Sequence, residues 1–386
     1  MRSRPGTSTG SSAEDTMVEF KLTKNSEPIH FTRKARESNG AGAVVGLDIE
    51  AGSIAASELG NGTAGRTAIA PLPKGAFADG EIKDGEALTG ALKSLFAESK
   101  LGRSVRLGVA NQSVVVRTLR LPLIEDETEL DTAIRFQADD QIPMPLEQAV
   151  LDHRVLRRQA GAEGERQMDV LVVAARRDMI SSLLEALLAA GLDPRGIDLS
   201  AFGMIRALDP DAGESQQEGM IGTTTLYCYL GDSTNLVVAN GQDCLFTRTS
   251  PVGIEGFSDS VAAREGISID EARDWLLEVG LDEPIDESFG TDRERAAAVR
   301  QEVEEGAAKL LNELRLSLDY YGAQEGAPPI ERVIACGLGV AVPGLIEHLR
   351  IGLGREIETR TPEGLSHLND EDAARLTVAY GLALEG

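Results

Sequence analysis

The sequence predicts a duplicated α/β protein, and three observations carry that prediction. "GLDIEAGSIAASEL", beginning at Gly46, and "CYLGDSTNLVVA", beginning at Cys228, are two copies of one unit. Each is a strand, a short turn of Gly, Ser and acid, and a second strand. One copy opens each half of the 386-residue chain. Around them, strand-like and helix-like periodicities alternate, the pattern of sheets covered by helices. Two such units, one per half, are expected to face their turns across a cleft.

Residues 1–40 are rich in Ser, Thr, Gly and charge, without periodicity, and read as a disordered, solvated tail that is slightly basic on an acidic body. Met17 is a second candidate start. "AVVGLDI" and "GSIAASEL" read as paired strands closed by Asn61-Gly62, a strong hairpin signal. The helix expected over 85–99 places Leu88, Leu92, Leu95 and Phe96 on one face. "VRLGVA" is a short buried strand, and "SVVVRTLRLP" leads into a helix over 125–139 lined by Leu130, Ile134 and Ala138. "QIPMP" stops that helix, because Pro143 and Pro145 cannot continue it. "AVLDHRVLRR" and "MDVLVVAARR" are strands flanking a polar loop at 161–165, and a helix over 178–190 ends at Gly191.

The second unit is followed by its own Asn240-Gly241 hairpin, then by helical segments over 254–264 and 269–279. A long helix over 293–321 carries Val299, Val303, Ala307, Leu310, Leu311, Leu314, Leu318 and Tyr321 as its apolar stripe. "RVIACGLG" is a strand entering a Gly-rich turn, and "VPGLIEHLRIGLG" is the helix after it. The last helix, over 370–384, has Asn369 as its N-cap.

Composition narrows the function. A formal charge of −25 argues against nucleic acid, whose affinity comes from Lys and Arg. Cys228, Cys244 and Cys336 form no CxxC, and His30, His153, His348 and His367 are scattered, so neither a disulfide framework nor a zinc site is expected. No apolar run reaches a membrane span and no signal peptide opens the chain, so a soluble, cytoplasmic protein is expected. Gly60 to Gly65 satisfies GxGxxG formally, but no helix opens there to meet a pyrophosphate. No GxxxxGK[ST] loop and no arguable Ser/His/Asp or Cys/His set is present. Three Gly-containing turns remain, at 48–53, 231–235 and 337–339, whose backbone N–H groups can cradle an anion.

Their order resembles the phosphate-1, phosphate-2 and adenosine motifs of the actin/hexokinase/Hsp70 superfamily. "QADDQIPMPLEQAVLDHRVL", "LRLSLDYYGAQ", "IACGLGVAVPGLIEHL" and the closing "LTVAYGLAL" make the chain similar, more narrowly, to the PilM family of type IV pilus assembly proteins. That resemblance implies an actin-like (ribonuclease H-like, duplicated) two-lobed α/β fold. Lobe 1 would span 41–215 with an SHS2-like subdomain inserted at about 113–177. Lobe 2 would span 216–386, its last helix packing back on lobe 1.

The resemblance also implies a cytoplasmic platform that captures the N-terminal tail of a PilN-like inner-membrane protein and links it to the pilus assembly machinery. Contact with the membrane would run only through partners, and self-association is compatible with the same fold. Ile142, Pro143, Met144 and Pro145 are the candidate partner contacts. ATP with Mg is the implied cofactor. Asp48 would orient the metal through water, Ser53, Gly231, Asp232, Ser233 and Thr234 would cradle phosphate, and Gly337 and Gly339 would lie near the base. No catalytic residue is nominated.

The departures point to weak or degenerate ATP binding. Asp-Ile-Gly of phosphate-1 is here Asp48-Ile49-Glu50, and the Lys that often follows is Ala55. Asp-Ile-Gly of phosphate-2 is Tyr229-Leu230-Gly231, and Gly-Gly-Gly of the adenosine motif is Gly337-Leu338-Gly339. Glu50 would set negative charge beside a polyphosphate, at a cost on the order of 1–4 kcal/mol for a unit charge about 4 Å away. An active ATPase or small-molecule kinase of the superfamily is the alternative. An FtsA-like division protein is a third reading, disfavoured because such proteins end in an amphipathic membrane helix and this sequence closes on a core helix.

Overall fold

The computed structural model describes residues 44–60, 63–160, 166–210, 222–282, 284–324 and 326–384. The expected tail of 1–40, the Asn61-Gly62 turn and the polar loop at 161–165 lie outside them. The first half runs β1 (Val45–Ile49), β2 (Ser53–Gly60), β3 (Thr63–Pro71), the small hairpin β4 (Phe77–Ala78) and β5 (Glu81–Ile82), α1 (Gly85–Glu98) and β6 (Ser104–Val109). An inserted unit follows, with β7 (Val115–Pro122), α2 (Glu127–Gln141), β8 (Ala149–Ala160) and β9 (Arg166–Arg176). The half closes with α3 (Arg177–Ala189), β10 (Asp193–Leu199) and α4 (Ser200–Leu208).

The second half runs β11 (Thr224–Leu230), β12 (Thr234–Asn240), β13 (Asp243–Ser250), α5 (Ile254–Glu265), α6 (Ile269–Val279) and α7 (Arg293–Gly322). It ends with β14 (Arg332–Cys336), α8 (Leu345–Leu353), β15 (Glu358–Thr359) and α9 (Asp370–Ala383).

The duplication is visible strand by strand. One sheet has the order β10-β6-β1-β2-β3 and the other β15-β14-β11-β12-β13. In both, the opening strand pairs antiparallel with its hairpin partner and parallel with the strand on its other side. Two large cores result. Leu47, Ile54, Leu88, Leu92 and Leu107 belong to the first, which also takes in Tyr227, Val237 and Ile334 from one face of the second sheet. Leu226, Leu236, Val303, Leu310 and Leu314 belong to the second. The insert has a third core, where Leu130, Ile134 and Ala138 of α2 meet the β7-β9-β8 sheet.

The last helix, α9, leaves the second half and lies against β1, β2 and α4 of the first. Its N-cap is Asn369, whose side chain accepts from the Asp372 N–H at 2.9 Å. Asn369→Ala is expected to lower stability by about 1 kcal/mol, read from urea unfolding with an unchanged m-value.

The structure corrects the sequence reading at several elements. The β1–β2 turn is Glu50 to Gly52, so that strand pair is not closed by Asn61-Gly62, which follows β2 in the sequence. β3 and β10 were not expected as strands, because each carries proline. Both are edge strands, where Pro71 and Pro194 forfeit no essential ladder bond. α4 was not expected either: eight of its nine residues are buried, so it has no polar face to make a helical period. The GxGxxG match also falls away, since strand β3 begins at Thr63 and no helix opens there. On α7, Leu311 and Leu318 sit at the margin of the core rather than within it.

Candidate functional site

The two echoed hairpin turns face each other between the sheets. Turn one, Glu50 to Gly52, is closed by the Glu50 N–H donating to the Ser53 carbonyl at 2.9 Å. Turn two, Gly231 to Ser233, is closed by the Gly231 N–H donating to the Ser233 carbonyl at 3.2 Å. Across the gap, the Gly52 N–H donates to Asp232 Oδ2 at 2.7 Å. In the other direction, the Asp232 N–H donates to Glu50 Oε1 at 3.2 Å. Tyr229 Oη donates to Glu50 Oε2 at 3.0 Å. Each turn thus places a carboxyl oxygen on a backbone amide of the other.

Asp48 sits at the end of β1 and accepts from Ser200 Oγ, at the start of α4, at 3.2 Å. Burial pushes its carboxyl up to about 7, Asp232 adds to the shift, and the Ser200 hydrogen bond opposes it. Burial likewise raises Glu50 well above the usual range, with Asp232 and Asp48 as further causes, against the Tyr229 hydroxyl and Arg375. Glu255, on the first turn of α5, is raised by its burial and held back by Arg273, whose Nη2 is 2.6 Å away.

Beside the turns lies a cavity of ≈ 220 Å³. Asp48, Glu50, Asp79, Asp232, Glu255 and Asp259 contribute six carboxyls to its wall, and no Lys or Arg is among the described lining residues. Such a wall repels a polyphosphate unless cations come with it. Among the described residues no group of three or more His, Cys, Asp or Glu is arranged to hold a metal ion directly. A role for Asp48 toward magnesium would have to run through water.

The structure brings Asp48, Asp232 and Ser233 together on that wall. Gly231 lies behind it, against Glu50 and the Tyr229 ring. Ser53 is buried, with Arg375 Nη1 3.4 Å from its hydroxyl, and Thr234 donates to the Val252 carbonyl at 2.7 Å. Gly337 and Gly339 are not on the wall. A Cβ on Gly337 would meet the Leu230 carbonyl at 2.8 Å, and one on Gly339 would meet Leu230 Cβ at 2.7 Å, so both serve close packing beneath turn two. Ile142 caps α2 with its side chain in the core of the insert, leaving Pro143 and Pro145 exposed and Met144 half-buried.

Residues 46–386 match the family described as type IV pilus assembly protein PilM. The chain belongs to this family. A solved PilM–PilN type IV pilus biogenesis complex is 26% identical over 88% of this chain and 97% of that chain, with a TM-score of 0.71. The ethanolamine utilization protein EutJ from Carboxydothermus hydrogenoformans is 14% identical over 92% of this chain and 93% of its own, with a TM-score of 0.49. A ROK family glucokinase from Streptomyces griseus, solved with glucose and AMPPNP, is 13% identical over 89% and 100%, at 0.41. The last two are too distant to bear on chemistry here. The fold of this PilM-family chain is the actin-like α/β fold of two related sheets. Among the described residues, no helix is long and apolar enough to cross a membrane.

Several residues of the site escaped the sequence reading. Ser200 belongs to the unexpected helix α4, and Asp79 to a hairpin of two-residue strands too short to show a period. Glu255 and Asp259 had a legible signal, an i, i+4 acidic pair at the start of α5 directly after "SPVG". The Glu50–Tyr229 contact was not legible, because the two positions are 179 residues apart.

Proposed function

We propose that the chain is a cytoplasmic platform of type IV pilus assembly. It captures the short N-terminal cytoplasmic tail of a PilN-like inner-membrane protein and meets the membrane through that partner. The observation that carries this reading is the likeness to a chain of a solved PilM–PilN complex, over 88% of this chain and 97% of that chain. The groove between the first lobe and the insert is the proposed seat, with Pro143, Met144 and Pro145 at its rim.

Nucleotide binding is weak or lost in this reading, which the six-carboxyl wall and the missing phosphate-1 Lys support. Any ATP and magnesium that bind do so at Asp48 and the phosphate turns, and Gly337 and Gly339 act only by packing beneath turn two. The chain acts by holding a partner rather than by turning ATP over.

Isothermal titration of the full chain with a synthetic peptide of the tail is the test. Saturable binding that is unchanged by Mg·ATP is expected, and Met144→Glu should weaken it by about tenfold, since it sets an unpaired charge where the half-buried Met144 offers an apolar contact. No binding of the peptide, with or without nucleotide, overturns the platform reading. Micromolar binding of Mg·ATP by the wild-type chain overturns the degenerate-site part.

A further inference from the structure

We infer that Glu50 and Asp232 form an interlobe clasp, each carboxyl filling the backbone-amide seat that the opposite turn would offer a phosphate, so that the chain holds its own lobes closed. The inference rests on the reading that nucleotide binding is weak or lost.

In an actin-like cleft, turn amides free to point at a ligand are what make a phosphate seat. Here four of them are already spent. Glu50 N–H and Gly231 N–H close their own turns, Gly52 N–H holds Asp232, and Asp232 N–H holds Glu50. The two carboxyls reach these seats because two glycines leave room. A Cβ on Gly231 would lie against Glu50 Oε1 and the Tyr229 ring. A Cβ on Gly52 would meet Arg273 Nη2 at 2.9 Å and Asp232 Oδ2 at 3.2 Å.

The two departures from the motif pattern explain one another. Glu50 stands where phosphate-1 usually has glycine, and Tyr229 stands where phosphate-2 usually has an acid. Their side chains meet, with the Tyr229 hydroxyl donating to Glu50 at 3.0 Å. An acid at 229 would set a further carboxyl against buried Glu50 and offer it no donor when ionised, and a glycine at 50 would leave the Tyr229 hydroxyl without this buried partner. Groups facing the clasp come from every neighbouring element: Asp48 from β1, Cys336 from β14, Arg375 from α9, and the Glu255–Arg273 pair from α5 and α6.

The clasp is tested by interlobe distances in the full chain, spin-labelled at Lys93→Cys on α1 and Glu294→Cys on α7, both exposed. Cys228, Cys244 and Cys336 are buried and their thiols are pushed up by burial, so the labels go to the introduced pair. Without nucleotide, a single narrow distribution is expected, unchanged by millimolar Mg·ATP. Glu50→Gly should broaden and lengthen it, Mg·ATP should narrow it again, and nucleotide affinity should rise at least about tenfold over wild type.

Glu50→Gly with the wild-type distribution in the absence of nucleotide overturns the clasp. If circular dichroism shows that this variant does not fold, Asp232→Ala carries the comparison, since it removes the carboxyl seated on the Gly52 N–H and adds no backbone freedom. A nucleotide-free distribution unchanged by Asp232→Ala then overturns the clasp. The nucleotide-free distances judge the clasp and Mg·ATP titration of the wild-type chain judges the degenerate-site reading, so the two can fail separately.

Discussion

Gly381→Ala destabilises the protein by about 3 kcal/mol, the upper end of what an overpacked core position costs. The sign is opposite to the helix propensity of the residue, because alanine inside a helix is ordinarily better than glycine by roughly 0.5–1 kcal/mol. The reason is the crossing of α9 on α4. A Cβ at 381 would be driven into the Gly203 carbonyl oxygen and would also lie 3.0 Å from Ala207 Cβ. Both obstacles belong to one helix, so the crossing can relieve them only by moving α9 as a body.

That movement would pull on everything α9 holds. Gly46 of β1 faces the Ala379 carbonyl and the Ala383 N–H so closely that it too has no room for a side chain. Arg206 Nε donates to the Gly381 carbonyl at 2.9 Å while its Nη2 pairs with buried Asp198 at 2.6 Å. Gly90→Ala is the control. Gly90 lies inside α1 with nothing near its missing Cβ, so the same change there should stabilise by roughly 0.5–1 kcal/mol. Urea midpoints of the two variants should move in opposite directions. A neutral or stabilising Gly381→Ala would mean that α4 and α9 are further apart in solution.

Asp48 makes the wild-type protein lose stability as pH rises from about 4 to about 7. Its carboxyl is raised to about 7 in the folded chain, by burial first and by Asp232 second. Unfolded, it returns to the ordinary aspartate value of about 4. Between those values the folded state binds more protons than the unfolded one, so stability falls with pH across the window. The contribution is fully present below the unfolded value and gone above the folded one. At about 1.4 kcal/mol per pKa unit, the whole contribution is on the order of a few kcal/mol.

Glu50 is raised by the same burial and by Asp232 and Asp48, and acts in the same direction. Exposed paired acids such as Asp178, lowered by Arg176, act the other way, so the readout is a difference between variants. Asp48→Asn should flatten the pH dependence and gain most on wild type at pH values above about 7. Parallel pH profiles for the two proteins would show that Asp48 ionises normally in the fold.

The elements with one polar and one apolar face were legible in the chain. α1 and α2 bury the residues that their periodicity selects, and the stripe of α7 is correct apart from Leu311 and Leu318 at its margin. What failed to show was either edge or interior. β3 and β10 carry proline because an edge leaves room for it, and α4 is buried on nearly every side. The two facing hairpin turns were also legible, since Gly, Asp and Ser in a hairpin turn are a local signal.

The sequence by itself determined the duplication, the turns at 48–53 and 231–235, and the resemblance that placed the chain among PilM proteins. It also showed that Glu50 is unusual. Only the tertiary structure decided what Glu50 does. Read alone, it is a charge set against a phosphate; folded, its oxygens accept from Asp232 and Tyr229 of the other lobe. The physical reason is that a hydrogen bond across a cleft depends on how two sheets are oriented, and no local periodicity encodes that orientation.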